Sequence, residues 1–173
     1  MKRIILLIFV LAIGLLLSGC DLELGKYQVG DIGPSGVGKV FLVTDGGFHG
    51  LEVAPNTWHD GSSDPTSVWV EGGDTQSTYI MTPPRKEIGL GFENSQAIVA
   101  AEGHTTSAAA LCRDYRSDDE GDWFLPSQNE LELMYLMASI DIIGNFENDE
   151  YWSSSDKFQY QCYKSQFQHW PTV

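Results

Sequence analysis

The chain has 173 residues, 42% of them hydrophobic and 12% aromatic, which places it in the single-domain range with ample side chains for one core. Twenty-four acidic against ten basic residues give a formal net charge of −14. That field repels phosphate and sulfate polymers, so nucleic acid is excluded as a partner class, and eighteen glycines predict many turns.

Lys2 and Arg3 precede an apolar run from Ile4 to Leu17, which closes on Leu17-Ser18-Gly19-Cys20. The run is too short for a membrane-spanning helix, which needs about 20 apolar residues, and residues 1–19 read as a signal peptide. The L-S-G-C close resembles the lipobox of bacterial lipoproteins. The resemblance implies cleavage before Cys20, diacylglycerol on its sulfur and an envelope location at the outer or inner membrane. Two or more acyl chains anchor stably where one does not. Residues 20–26 then form a lipidated polar tether, the domain spans 27–173, and the loss of Lys2 and Arg3 makes the mature chain more acidic by two charges. Cys112 and Cys162 remain in a compartment that permits disulfides. They either bridge, closing a loop of about fifty residues worth about 4 kcal/mol in the chain-entropy account, or stay as two thiols.

Gly33 to Lys39 matches G-x-x-x-x-G-K, but Val40 stands where a phosphate loop needs Ser or Thr, and β-formers rather than a helix follow. The stretch reads as a glycine-rich turn feeding a strand at 40–44. A second strand at 50–55 pairs with it across the D-G-G-F-H turn, where a bulge is expected. Residues 56–87 hold Trp58, Trp69 and Tyr79 without helical or strand periodicity, and the tryptophans argue for a packed loop. Their acids and histidine, His59, Asp60, Asp64, Glu71 and Asp74, lack calcium-loop spacing and read as solvated loop groups. Asn94 is expected to cap a helix running toward Gly103, and a second helical run covers 106–115 with a stripe of small residues. Ser117 to Asp122 is an acidic turn, again read as solvated.

Ser127 and Glu130 form a capping box, with Pro126 separating an extended Trp123-Phe124-Leu125 segment from the helix that follows. Leu131, Met134, Met137 and Ile140 recur at helical spacing over about 13 residues, too short to stand alone in water, so this helix must be docked. Tyr151 to Ser155 reads as a strand start. Phe158, Tyr160 and Cys162 alternate with polar neighbours in a further strand pattern.

The order of Y-Q-V-G-D-I-G-P-S-G-V-G-K-V-F-L-V (27–43), H-G-L-E-V-A-P (49–55), N-S-Q-A-I-V-A-A (94–101), A-A-L-C (109–112), G-D-W-F-L-P-S-Q-N-E-L-E-L-M-Y (121–135) and Y-W-S-S-S (151–155) resembles the Lcl C-terminal domain family of bacterial surface proteins. The resemblance implies an α+β, C-type-lectin-like fold with two or three helices, a small twisted antiparallel sheet and long loops. It also implies a glycan- or protein-binding, adhesin-type role without catalysis or cofactor. Family members continue past Y-W-S-S-S into a closing strand with an arginine-containing end. This chain departs from that pattern, so the final strand is expected to be missing. A ligand would be met by Trp152, Tyr160, Tyr163, Lys164, Gln168, His169 and Trp170, since tyrosine and tryptophan give large contact area with a polar handle. The alternative is a truncated, structural lipoprotein with no ligand of its own. An enzyme ranks third, because the four histidines at 49, 59, 104 and 169 show no ligand spacing and no metal is assigned.

Overall fold

The computed structural model describes residues 27–61, 64–69, 85–100, 106–115, 122–144, 146 and 150–155. Over these the chain is α+β: strands β1 (Lys39–Thr44) and β2 (His49–Val53) form an antiparallel pair, followed by helices α1 (Gly91–Ala100), α2 (Ala108–Asp114) and α3 (Gln128–Ser139). Among the described residues no helix is long and apolar enough to cross a membrane. The signal segment, the tether and Cys20 lie outside the described residues, as do Cys162 and the tail positions Tyr160, Tyr163, Lys164, Gln168, His169 and Trp170.

The hairpin forms where it is expected, but its irregularity sits elsewhere. Val40 pairs with Glu52 and Leu42 with Leu51, which leaves Phe41 as the extra residue of a bulge inside β1. A bulge puts two neighbours of one strand opposite a single partner. Val40 and Phe41 are accordingly both buried, against the alternation a regular strand would impose. The turn itself is a short 3-10 segment, Asp45–Gly47, with positive φ at Asp45, Gly46 and Gly47. The segment before β1 covers its outer edge: Gly30 N donates to Val40 O at 2.8 Å and Val40 N to Asp31 O at 2.9 Å.

Helix α1 begins at Gly91, before the expected cap. Asn94 is therefore inside the helix and fully buried, its Nδ2 donating to Arg85 O at 2.8 Å and Ser154 Oγ at 3.3 Å. Its capping chemistry is used across the fold rather than along the helix. One turn of the same face carries Ser95, whose hydroxyl donates to Leu125 O and accepts from Leu125 N, so one side chain satisfies both backbone groups of a buried extended residue. Helix α2 is capped by Ser107, which accepts from Ala110 N. Its small residues Ala108 and Ala109 pack with Ile98, Trp69 and Leu125 as the apolar core, with Val99, Cys112 and Trp152 against it.

Helix α3 starts on the expected capping box, with both reciprocal bonds formed. All four of its first amides have partners: Ser127 N on Glu130 Oε2, Gln128 N on Ser155 Oγ, Asn129 N on Lys86 O and Glu130 N on Ser127 Oγ. These are the groups a helix start normally leaves orphaned. The docked face is shallower than its pattern predicts. Leu131, Met134 and Met137 are half-buried, whereas Leu136 and Ile140 are 54% and 58% exposed, and Ile140 is the C-cap rather than a further core contact. The side chains buried deepest in α3 are polar, Gln128 and the fully buried Glu130.

Tyr151 to Ser155 is not a strand. It is an extended clasp whose bonds are to side chains and irregular backbone of distant segments: Ser154 N donates to Pro126 O at 2.7 Å, Ser155 Oγ donates to Arg85 O and accepts from Gln128 N, and Tyr151 donates to Asp64. Two indoles cross over between the same strands of chain, Trp69 Nε1 donating to Ser153 O at 2.7 Å and Trp152 Nε1 to Ser67 O at 2.9 Å.

Candidate functional site

A cleft of about 780 Å³ opens between the hairpin, α2, α3 and the clasp. Its floor is apolar: Phe41 and Val53 from the hairpin, Leu111 from α2, Leu131 and Met134 from α3. One wall is aromatic. Trp58 and Tyr115 meet edge to face with ring centroids 5.2 Å apart, and Tyr115 meets Trp123 in the same way at 5.2 Å, giving a row of three rings drawn from three loops. Edge-to-face contact at this spacing is a favoured aromatic arrangement, worth about 0.5–1.5 kcal/mol per pair beyond burial. In a second group Tyr135 stacks on Phe146 at 5.1 Å, and Phe146 meets Tyr151 edge to face at 4.9 Å.

Among the described residues four carboxylates and one ammonium line the cleft. Lys39 Nζ donates to Ile142 O at 3.3 Å, in the turn that follows α3. Glu130 accepts from Ser127 N and Gly89 N, both at 2.7 Å. Glu52 accepts from Ser35 N and, at 2.5 Å, from Ser35 Oγ. Its carboxyl thus sits in the crook of the glycine-rich loop, against Gly33 and Gly38, where a Cβ at either position would collide with it. The anion position that a phosphate loop would offer is filled by the protein's own carboxylate, which gives the physical basis for reading that loop as a turn.

Asp64 differs from the other acids. The loop acids of this region are expected to be solvated, and Asp60 is exposed, but Asp64 is half-buried in the cleft. It accepts from the Tyr151 hydroxyl at 2.9 Å and from the Trp58 side chain. Burial raises its pKa above the ordinary 3.8, and those two donors only partly offset the effect. Among the described residues no Lys, Arg or His forms an ion pair with it. Cys112 lies on the same wall, its thiol pushed up to about 12 by burial and then by the charge of Asp64, so it is neither ionised nor nucleophilic at neutral pH. Cys112 forms no disulfide among the described residues. Its pairing with Cys162 lies outside them.

Of the expected ligand contacts, Trp152 lines the cleft, with its N–H held by Ser67. Trp58 and Trp123 are visible in sequence as aromatics, yet nothing in their spacing predicts that they share a wall with Tyr115 and Asp64. His59 is exposed and meets Trp58 edge-on, while Glu71, Asp74, His104, His169 and most of the 117–122 turn lie outside the described residues. Among the described residues no three His, Cys, Asp or Glu side chains are grouped to hold a metal ion. Compared with family profiles, with characterised proteins and with solved structures, the chain matches none.

Proposed function

We propose that the chain is a lipid-anchored cell-envelope protein whose C-type-lectin-like domain binds a glycan or protein ligand without altering it chemically. The anchor reading rests on the L-S-G-C close at Cys20, and the domain reading on the resemblance to the Lcl C-terminal family. The observation that carries the binding role is the cleft: a concave, largely apolar space with an aromatic wall and a few fixed polar groups, the general form of a ligand site. Its carboxylates also favour binding over catalysis. Glu52 and Glu130 are held by donors that fix them as structural acceptors, and Asp64 is held by Tyr151 and Trp58.

The test has two arms. Labelled palmitate should enter the wild-type chain and not Cys20→Ala. The lipidated protein should bind in a saturable way on arrays of glycans and host-matrix proteins, and Trp58→Ala should abolish that binding while keeping a cooperative thermal transition. A folded wild-type protein that bound nothing on such arrays would favour the structural lipoprotein instead.

A further inference from the structure

Resting on that reading of the cleft as a binding site, we infer that the ligand presents an organic ammonium group, seated against the Trp58–Tyr115–Trp123 wall and facing the Asp64 carboxylate. The geometry that carries this is a negative charge placed at the edge of an aromatic row. Asp64 accepts from the Trp58 side chain and, at 2.9 Å, from Tyr151, so it is fixed beside the first ring, while the ring centroids follow at 5.2 Å intervals. A cation over the face of Trp or Tyr is attracted by the ring quadrupole when it lies within about 6 Å of the centroid. Trp58 and Asp64 line the same cleft, so a cation held on the aromatic wall shares that space with the carboxylate.

Charge complementarity selects the same class. Among the described residues Glu52, Asp64, Glu130 and Glu150 line the cleft against Lys39, whose ammonium is turned to Ile142 O, and the whole chain carries −14. Such a cleft with apolar walls concentrates cations. A half-buried carboxylate without an ion-pair partner among the described residues gains from a cation what a neutral hydroxyl cannot supply. Phe41, Leu131 and Met134 line the same cleft and suit an apolar part of the ligand, which separates an organic ammonium from a metal ion. A hard metal ion would demand six or more oxygen ligands.

The experiment uses the full lipidated chain in a polyoxyethylene detergent at constant ionic strength, with tryptophan fluorescence as readout. Choline is compared with 3,3-dimethyl-1-butanol, its neutral carbon analogue of equal shape. Choline should give a saturable change at least tenfold tighter than the neutral analogue, and Asp64→Asn should bring the two within about twofold of each other. Equal responses from choline and the analogue in the wild-type chain would overturn the inference without any reliance on the variant. So would the absence of a response, which is also the result expected if the chain's own residues fill the cleft. Ligand capture on the arrays without discrimination in favour of choline would sink the ammonium class alone. Failure of both would sink the binding role with it.

Discussion

Asp64 shows how one side chain carries a cost inside this fold. Its folded pKa is raised above 3.8, so the folded chain holds that proton to higher pH than the unfolded chain does. This group therefore favours folding most below its unfolded pKa, and the contribution falls as pH rises through 3.8 and then through the folded value. Asp64→Asn keeps an oxygen for the Tyr151 hydroxyl and removes the charge. Thermal melts should show the variant equal to or above wild type at pH 7, with the advantage shrinking toward pH 3. A variant melting well below wild type at pH 7 would contradict the account. The tryptophans allow a second prediction at this scale. The N–H of Trp69 and of Trp152 each bond a carbonyl, whereas Trp123 Nε1 is buried and finds no hydrogen-bond partner among the described residues. Trp123→Phe removes a donor whose burial without a partner costs about 1–3 kcal/mol. It should destabilise less than Trp69→Phe or Trp152→Phe, as read by urea midpoints at matched slope.

At the scale of elements, α3 was legible in sequence because its start is written within four residues, Ser127 to Glu130, and a capping box needs no distant partner. Glu130 also accepts from Gly89 N, and Gly91 is close enough that a Cβ there would meet the same carboxylate and the Phe124 ring. Glu130→Ala would strand the buried Ser127 amide and release the part-buried bond from Gly89 N, and should cost about 1–3 kcal/mol. Leu136→Ala on the exposed face of the same helix should stay within about 0.5 kcal/mol. Asn94 and residues 151–155 misled for the opposite reason. Asparagine signals a cap and Tyr-Trp before hydroxyls signals a strand, but here both are used by partners 9 to 87 positions away. The bulge at Phe41 was invisible because alternation alone cannot say where an extra residue enters. The cleft was illegible as a site, since its walls come from separate loops whose meeting is set by the tertiary fold.

At the scale of the whole molecule, the apolar core among the described residues is small: Trp69, Ile98, Ala108, Ala109 and Leu125, two of them alanines. Around it, Asn94, Ser95, Ser107, Ser127, Glu130 and Ser154 are each 0% exposed, so a buried polar network accompanies the hydrophobic contacts. Such a network is specific when its members are bonded and costly when one is removed. Ser155→Ala would free Gln128 N and leave Arg85 O with Asn94 Nδ2 as donor, and Ser154→Ala would remove a partner of Asn94. Each should cost about 1–3 kcal/mol. Ser153→Ala should be near neutral, because that residue contributes its carbonyl to Trp69 and keeps it. A melting series in which all three behaved alike would argue against the clasp.

The position of that clasp in the chain sets the timing of folding. A ribosome that has released residues up to Phe146 has already extruded Asn94, Trp69 and the amide of Gln128, but not Ser154 Oγ, Ser153 O and Ser155 Oγ, to which they bond. Domains usually condense as they emerge. Here the clasp is made after every segment that it fastens, so those segments stay unjoined until residues 151–155 emerge.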